Sequence, residues 1–173
     1  VREVIPKIPE IYDEPFADIS AIPTYLMSHF ARKSVTVALS GDGGDETTGG
    51  YQRYLSAPGL WNNIKNLPLP LRRTLSALMT SLSPECWNKL HPAHPQFGQR
   101  LYKAAGLMES SSQQDMFERI LSSNAHAHGF LNNPQLHNVF DQSGLWGNPE
   151  LSFEERMMMS DAQFYLPHDI LTK

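Results

Sequence analysis

Val35-Thr36-Val37-Ala38-Leu39 runs straight into Ser40-Gly41-Asp42-Gly43-Gly44-Asp45-Glu46-Thr47-Thr48-Gly49-Gly50, and no other stretch of the chain restricts its fold so tightly. The first five residues are apolar or β-branched and are flanked by breakers, the pattern of a short buried strand. Gly41, Gly43 and Gly44 permit the positive φ angles and close backbone approach of a tight turn, and a helix follows. Strand, glycine turn and helix together set helical N–H groups at the C-terminal edge of a sheet, where nucleotide phosphates commonly bind. Yet the turn carries Asp42, Asp45 and Glu46, and no lysine occurs between Lys33 and Lys65. Bare phosphate would be repelled. A divalent cation resolves the conflict, because Mg2+ takes one or two carboxylates, keeps some waters and shares its other positions with substrate phosphates. Asp45, at the helix entrance, is the natural ligand, and Asp42 points toward whatever the strand end presents.

Other loop chemistries fail on spacing. A phosphate-binding Walker loop needs Gly-Lys-Ser/Thr, and the lysine is missing. The dinucleotide fingerprint needs a third glycine where Glu46 stands, and three acids beside a pyrophosphate would oppose binding. An EF-hand needs oxygen ligands at alternating positions, which Asp42-Gly43-Gly44 breaks. The remaining alternative is a capped turn, with Asp45 as N-cap and the glycines serving geometry alone.

The rest of the chain reads as helical. Its 173 residues suit one domain, and 40% hydrophobic against 18% charged residues is enough to form a packed core. A net charge of −4 argues against a nucleic-acid footprint, and no apolar run is long enough to span a membrane. Val1-Arg2-Glu3-Val4 has no apolar signal-peptide core. A single cysteine, Cys86, forms no internal disulfide and no cysteine-based zinc set, so a reducing cytoplasm is the expected compartment. The missing initiator methionine and the apolar stretch completed just before Lys173 read as cuts through a longer protein.

Val1 to Pro15 alternates prolines with apolar residues and is expected to be extended. Ser20 is placed to cap a helix bearing Ile22, Tyr25, Leu26, His29 and Phe30 on one face, with Pro23 tolerated in its first turn. Further helices are predicted over 69–82, introduced by Pro68 and Pro70, and over 97–108, 113–122 and 151–166. In the last of these, Ser152 and Glu155 have the spacing of a capping box. One strand among several helices needs partners for its backbone groups, and the simplest source is sequence outside this chain. The fold class expected is therefore a mainly α fragment with a short strand.

Lesser candidates read as structure. His91 and His94, and His126 and His128, have metal-compatible spacings but no local acid or cysteine. Met157-Met158-Met159 reads as core filler. Arg72 and Arg73 read as a solvated helix face, and Cys86 beside Trp87 reads as a buried thiol without an activating base.

Leu39 to Glu46, followed by Gly49-Gly50-Tyr51, resembles the synthetase domain of the glutamine-hydrolysing asparagine synthetase family. Asp13-Glu14-Pro15-Phe16-Ala17-Asp18-Ile19-Ser20-Ala21-Ile22-Pro23-Thr24-Tyr25-Leu26 looks like the segment before that family's strand. Phe164 to Lys173 is similar to its later Leu-Pro-x-Asp-Leu-Leu-x-Lys segment. Residues 55–150 add little to the likeness. The resemblance implies that residues 1–173 are part of an α/β synthetase domain of the adenine-nucleotide α-hydrolase (PP-loop ATPase) type. It further implies a ligase that adenylates aspartate with Mg2+ and ATP, then amidates it with ammonia released from glutamine by an N-terminal glutaminase domain in the same polypeptide. Ser40, Gly41, Gly43 and Gly44 match nucleotide-contacting positions. Asp42 matches a catalytic position implicated in forming the adenylated intermediate, and Asp45 matches a carboxylate associated with magnesium. Thr47-Thr48 stand where the family usually places two apolar residues. The family's pyrophosphate loop, nucleophilic cysteine and stabilising lysine are all expected outside this chain, so the fragment alone is expected to be inactive. Two other readings stay open: a family member that amidates a sugar or natural-product carboxylate, and a non-catalytic helical interaction module. A homodimer is compatible with all three.

Overall fold

Proline at the first positions of a turn is preorganised for helix and lacks an N–H that a helix start leaves unpaired anyway. In the computed structural model of the protein, which describes residues 2–12, 16, 18–122 and 144–172, a 3-10 turn at Ile5–Lys7 leads into α1 (Ile8–Ile11). Each carries a proline at its second position, Pro6 and Pro9. The extended segment expected over Val1–Pro15 is thus corrected across residues 5–11. A φ near −65° serves helix and extended chain alike, so the proline spacing could not decide between them.

The described residues fall into two compact units, Val1–Gly50 with Met158–Lys173, and Tyr51–Met157. In the first unit, α2 (Ala21–Ala31) starts where the sequence places it, but Ser20 makes no side-chain cap bond to the helix. Its N–H and hydroxyl instead donate to the two Asp18 carboxylate oxygens, at 2.8 and 2.7 Å. On the expected apolar stripe, Ile22 and Tyr25 are half-buried whereas Leu26, His29 and Phe30 are exposed.

The strand expected over Val35–Leu39 is not present. Among the described residues there is no strand, and Val37 and Leu39 are 77% and 98% exposed. A strand is completed by hydrogen bonds from a neighbour, and among the described residues no second strand lies beside these. The mainly α part of the expected fold class is what the structure shows.

The described residues of the second unit form helices and the turns between them. The unit comprises α4 (Gln52–Ile64), α5 (Leu69–Met79), α6 (Pro84–Leu90), α7 (Phe97–Met108) and α8 (Gln113–Leu121). A 3-10 turn at Leu145–Gly147 and most of α9 (Phe153–Ser160) complete it. Ala105, Met116, Phe117 and Met157 are fully buried, and Trp146 meets Phe117 at a tilt and Phe153 edge-on, at centroid distances of 5.5 and 6.0 Å. The end of α5 is held by side chains of α6 and α7. The Trp87 indole N–H donates to the Met79 carbonyl at 2.9 Å, and the Tyr102 hydroxyl reaches the Thr80 and Leu82 carbonyls at 3.0 and 2.8 Å. The capping box at α9 forms as its spacing predicts, with Ser152 N–H on Glu155 Oε2 at 2.8 Å and Glu155 N–H on Ser152 Oγ at 3.2 Å. The Ser152 backbone N–H, and after it the Ser152 hydroxyl, lower the Glu155 carboxyl pKa below its ordinary value.

Two expectations reverse here. Arg72 is buried, and its guanidinium donates to the Leu67, Met108 and Ser110 carbonyls, while Arg73 stays exposed as expected. Cys86 is exposed rather than buried. Which side of a short helix is covered depends on non-local packing that neighbouring residues do not encode. The Met157-Met158-Met159 run divides by position, from fully buried Met157 to half-buried Met158 and exposed Met159. His126 and His128 lie outside the described residues.

Candidate functional site

The acidic loop belongs to the first unit, and its shape follows from two glycines. Gly43 has φ +87° and caps α3 (Gly44–Thr48) at its start, while Gly49 has φ +77° and ends it. Both conformations are costly for residues with a Cβ. Between them α3 is little more than one turn, so its dipole is too small to attract phosphate by itself. Gly44 N–H donates to the Gly41 carbonyl at 3.3 Å, and both Gly49 and Gly50 N–H groups share the Asp45 carbonyl at 3.0 Å. The exposed Thr47 and Thr48 side chains fold back onto the turn itself. Thr47 Oγ1 donates to the Gly43 carbonyl at 2.8 Å and Thr48 Oγ1 to the Gly44 carbonyl at 2.7 Å. They tighten the turn by hydrogen bonds where apolar side chains would have to pack.

A π-helical segment, Asp161–Ile170, continues from α9 and supports this loop. Leu166 lies beneath Gly43, where an added Cβ would stand 3.5 Å from Leu166 Cδ2, and Met158 lies beneath Gly49, its sulfur 3.7 Å from the equivalent position. The Phe164–Lys173 motif and the glycine motif are 114 residues or more apart in sequence, yet they form one local body. Packing of Leu166 and Met158 against the loop was not legible in either motif alone.

Ser40, Gly41, Asp42, Gly44 and Asp45 are all exposed, and Gly43 is half-buried. The Ser40 hydroxyl donates to Asp42 Oδ2, so these two form a unit. Glu46 turns the other way and is buried. Asp45 sits inside the first turn of α3, after the Gly43 cap, which corrects the capped-turn alternative in which Asp45 was itself the cap. Among the described residues no donor reaches the Asp45 carboxylate.

For the Mg2+ that the resemblance implies, this donor set fits. The loop offers hard oxygen ligands, exposed and without a competing lysine, in the small number that Mg2+ shares with phosphate and water. Among the described residues no group of three or more His, Cys, Asp or Glu side chains converges, so a cage supplied wholly by protein is not built here. His91 and His94 are exposed and their rings lie 6.5 Å apart, with His91 against Phe97 at 4.7 Å.

Comparison with known proteins gives a consistent family. A model of the asparagine synthase family matches residues 1–173. Over 71 residues the chain is 54% identical to "Putative asparagine synthetase (glutamine-hydrolyzing) 2" of Methanocaldococcus jannaschii, covering 41% of this chain and 14% of that protein. It is 44% identical over 71 residues to "Asparagine synthetase (glutamine-hydrolyzing) 1" of Bacillus subtilis, covering 41% of this chain and 11% of that one. A Mycobacterium bovis protein named "Putative asparagine synthetase (glutamine-hydrolyzing)" is 40% identical over 83 residues, 46% of this chain and 13% of its own length. The matched stretch is thus a small part of each relative. No solved structure matches the chain.

Proposed function

This chain belongs to the asparagine synthase family, and we propose that it forms the nucleotide-facing part of a synthetase domain in a longer, glutamine-dependent amide-forming ligase. The observation that carries this reading is the exposed pair of acids, Asp42 and Asp45, on a glycine turn without a balancing cation. A structural turn gains nothing from two exposed carboxylates; a site for metal-bound polyphosphate needs them.

Ser40 and the backbone of Gly41, Gly43 and Gly44 line the approach to ATP. The Ser40 hydroxyl orients Asp42 toward the carboxylate being activated. Asp45 would hold Mg2+, which would offset charge on the phosphates and the transferring adenylyl group. Aspartate is the substrate this reading favours. Its side-chain carboxylate takes the adenylyl group and pyrophosphate leaves; ammonia from glutamine then displaces AMP. A glutaminase domain in the same polypeptide supplies that ammonia, and the cytoplasm supplies the nucleotide. The exposed Val35–Leu39 segment supports the finer fold assignment: its apolar Val37 and Leu39, 77% and 98% exposed, suit a strand of the parallel PP-loop-type sheet, paired with chain outside these residues.

The test is aspartate-dependent exchange between ATP and pyrophosphate in the full-length protein. Asp45→Ala should lower the rate by about a hundred-fold or more, as losing a charge-stabilising group does elsewhere. Gly59→Ala, a substitution into open space on α4, should stay near wild type. An unchanged rate in Asp45→Ala rejects the metal assignment, and exchange driven by another carboxylate but not by aspartate rejects the substrate.

A further inference from the structure

Gly50 differs from the other glycines of the loop. Gly43 and Gly49 are needed for their left-handed backbone, whereas Gly50 has no positive φ. What it lacks is room. An ideal Cβ on Gly50 would stand 2.0 Å from Asp45 Oδ1, 2.9 Å from Asp45 Cγ and 3.3 Å from Asp45 Cα. The Asp45 carboxylate therefore occupies the volume that any other residue at position 50 would fill. Because the Gly50 N–H is also bonded to the Asp45 carbonyl at 3.0 Å, the two residues cannot separate without opening the end of α3. A Cβ at 50 leaves the carboxylate one response, rotation away from its place.

We infer that Gly50 is a positioning residue for the Asp45 carboxylate, its absent side chain leaving the space in which that ligand stands. The inference rests on Asp45 being a metal ligand, as proposed above. A residue that orients a ligand commonly changes metal affinity 10–100-fold when lost, and Gly50→Ala should fall in that range.

The experiment is a double-mutant cycle in the full-length protein, using Gly50→Ala, Asp45→Ala and both together, with Gly59→Ala as control. Two quantities are read: Mn2+ affinity in the presence of ATP, by the EPR signal of free Mn2+, and thermal melting. With the carboxylate present, Gly50→Ala should weaken Mn2+ binding about 10–100-fold and lower the melting temperature. In the Asp45→Ala background the same substitution should alter neither, because the 2.0 and 2.9 Å contacts to Oδ1 and Cγ are gone and contacting residues couple in this way. A Gly50→Ala protein that fails to fold but is rescued by Asp45→Ala supports the inference equally. Equal melting losses in both backgrounds, or failure of the double variant to fold, overturn it, as does wild-type Mn2+ affinity in Gly50→Ala when Asp45→Ala has lost it. Wild-type Mn2+ affinity in Asp45→Ala instead overturns the metal reading, and the melting cycle then still reports whether the carboxylate stands in that space.

Discussion

Replacing Arg72 by methionine should unfold the second unit more easily, and the structure sets the amount. Arg72 is 5% exposed. Its Nε–H donates to the Leu67 carbonyl at 3.0 Å, and Nη1 donates to the Met108 carbonyl at 3.3 Å and to the buried Ser110 carbonyl at 2.5 Å. Met108 ends α7, and Ser110 lies in its exit, so these are the acceptors a helix C-terminus leaves without partners. Methionine fills much of the volume but donates nothing. Stranding the Ser110 carbonyl costs about 2–3 kcal/mol and the longer Met108 bond about 1. Relief of the buried charge returns part of this. The net loss should be about 3 kcal/mol, or roughly 6–12 °C in melting temperature for a chain of this size. All three tryptophans, Trp61, Trp87 and Trp146, lie between residues 51 and 157, so urea unfolding followed by tryptophan fluorescence reads this unit directly. Arg72→Lys keeps the charge but cannot span acceptors on both sides, and should lose about half as much. A methionine variant within about 0.5 kcal/mol of wild type, the ordinary range for a surface change, would refute the claim that this guanidinium ties α5 to the end of α7.

Two further outcomes follow from close contacts. Gly98→Ala should cost about 3 kcal/mol or prevent folding, because its Cβ would stand 2.1 Å from the Pro84 carbonyl oxygen and 2.6 Å from Pro84 Cα. Those are backbone atoms that cannot rotate aside, so a wild-type unfolding midpoint would contradict the packing of α6 on α7. Asp115 adds a pH dependence. Burial raises its carboxyl pKa, but the Ser111 N–H, Arg119 and the Ser111 hydroxyl outweigh that and hold it below its ordinary 3.8. A lowered folded-state value means stability that is present above the ordinary value and lost as pH falls through the lowered one. Asp115→Asn should therefore destabilise by less than about 1 kcal/mol at neutral pH, given the side chain's exposure. The difference should shrink as pH falls below the ordinary 3.8 and vanish once the folded-state carboxyl is also protonated, and unfolding midpoints that stay apart in acid would reverse the assignment.

Much of this molecule is written locally. The helix expected over 97–108 spans those residues, and the Ser152–Glu155 box closes as its spacing requires. Periodicity and caps act within one or two turns, so a sequence carries them openly. Of the candidate site, the glycine turn and the helix after it form as read, with Ser40, Asp42 and Asp45 exposed on them, whereas the strand before it does not. Where the sequence offered two local solutions, it could not choose. Pro6 and Pro9 suit an extended chain or a helix start, and only the folded chain shows the helix.

What the tertiary structure decided are the relations between distant residues. The burial of Arg72 depends on carbonyls 36 and 38 residues away, and the exposure of Cys86 depends on which side of α6 the rest of the unit covers. Support of Gly43 by Leu166 and of Gly49 by Met158 joins segments that share no sequence signal. The Val35–Leu39 strand shows the same division from the other side. Composition alone marks those residues as suited to a sheet, but a strand exists only when a neighbour meets its backbone groups. Side-chain type and local spacing therefore determined which turns and helices form. Non-local packing decided which charges are buried, and why position 50 has space for Asp45 and for nothing else.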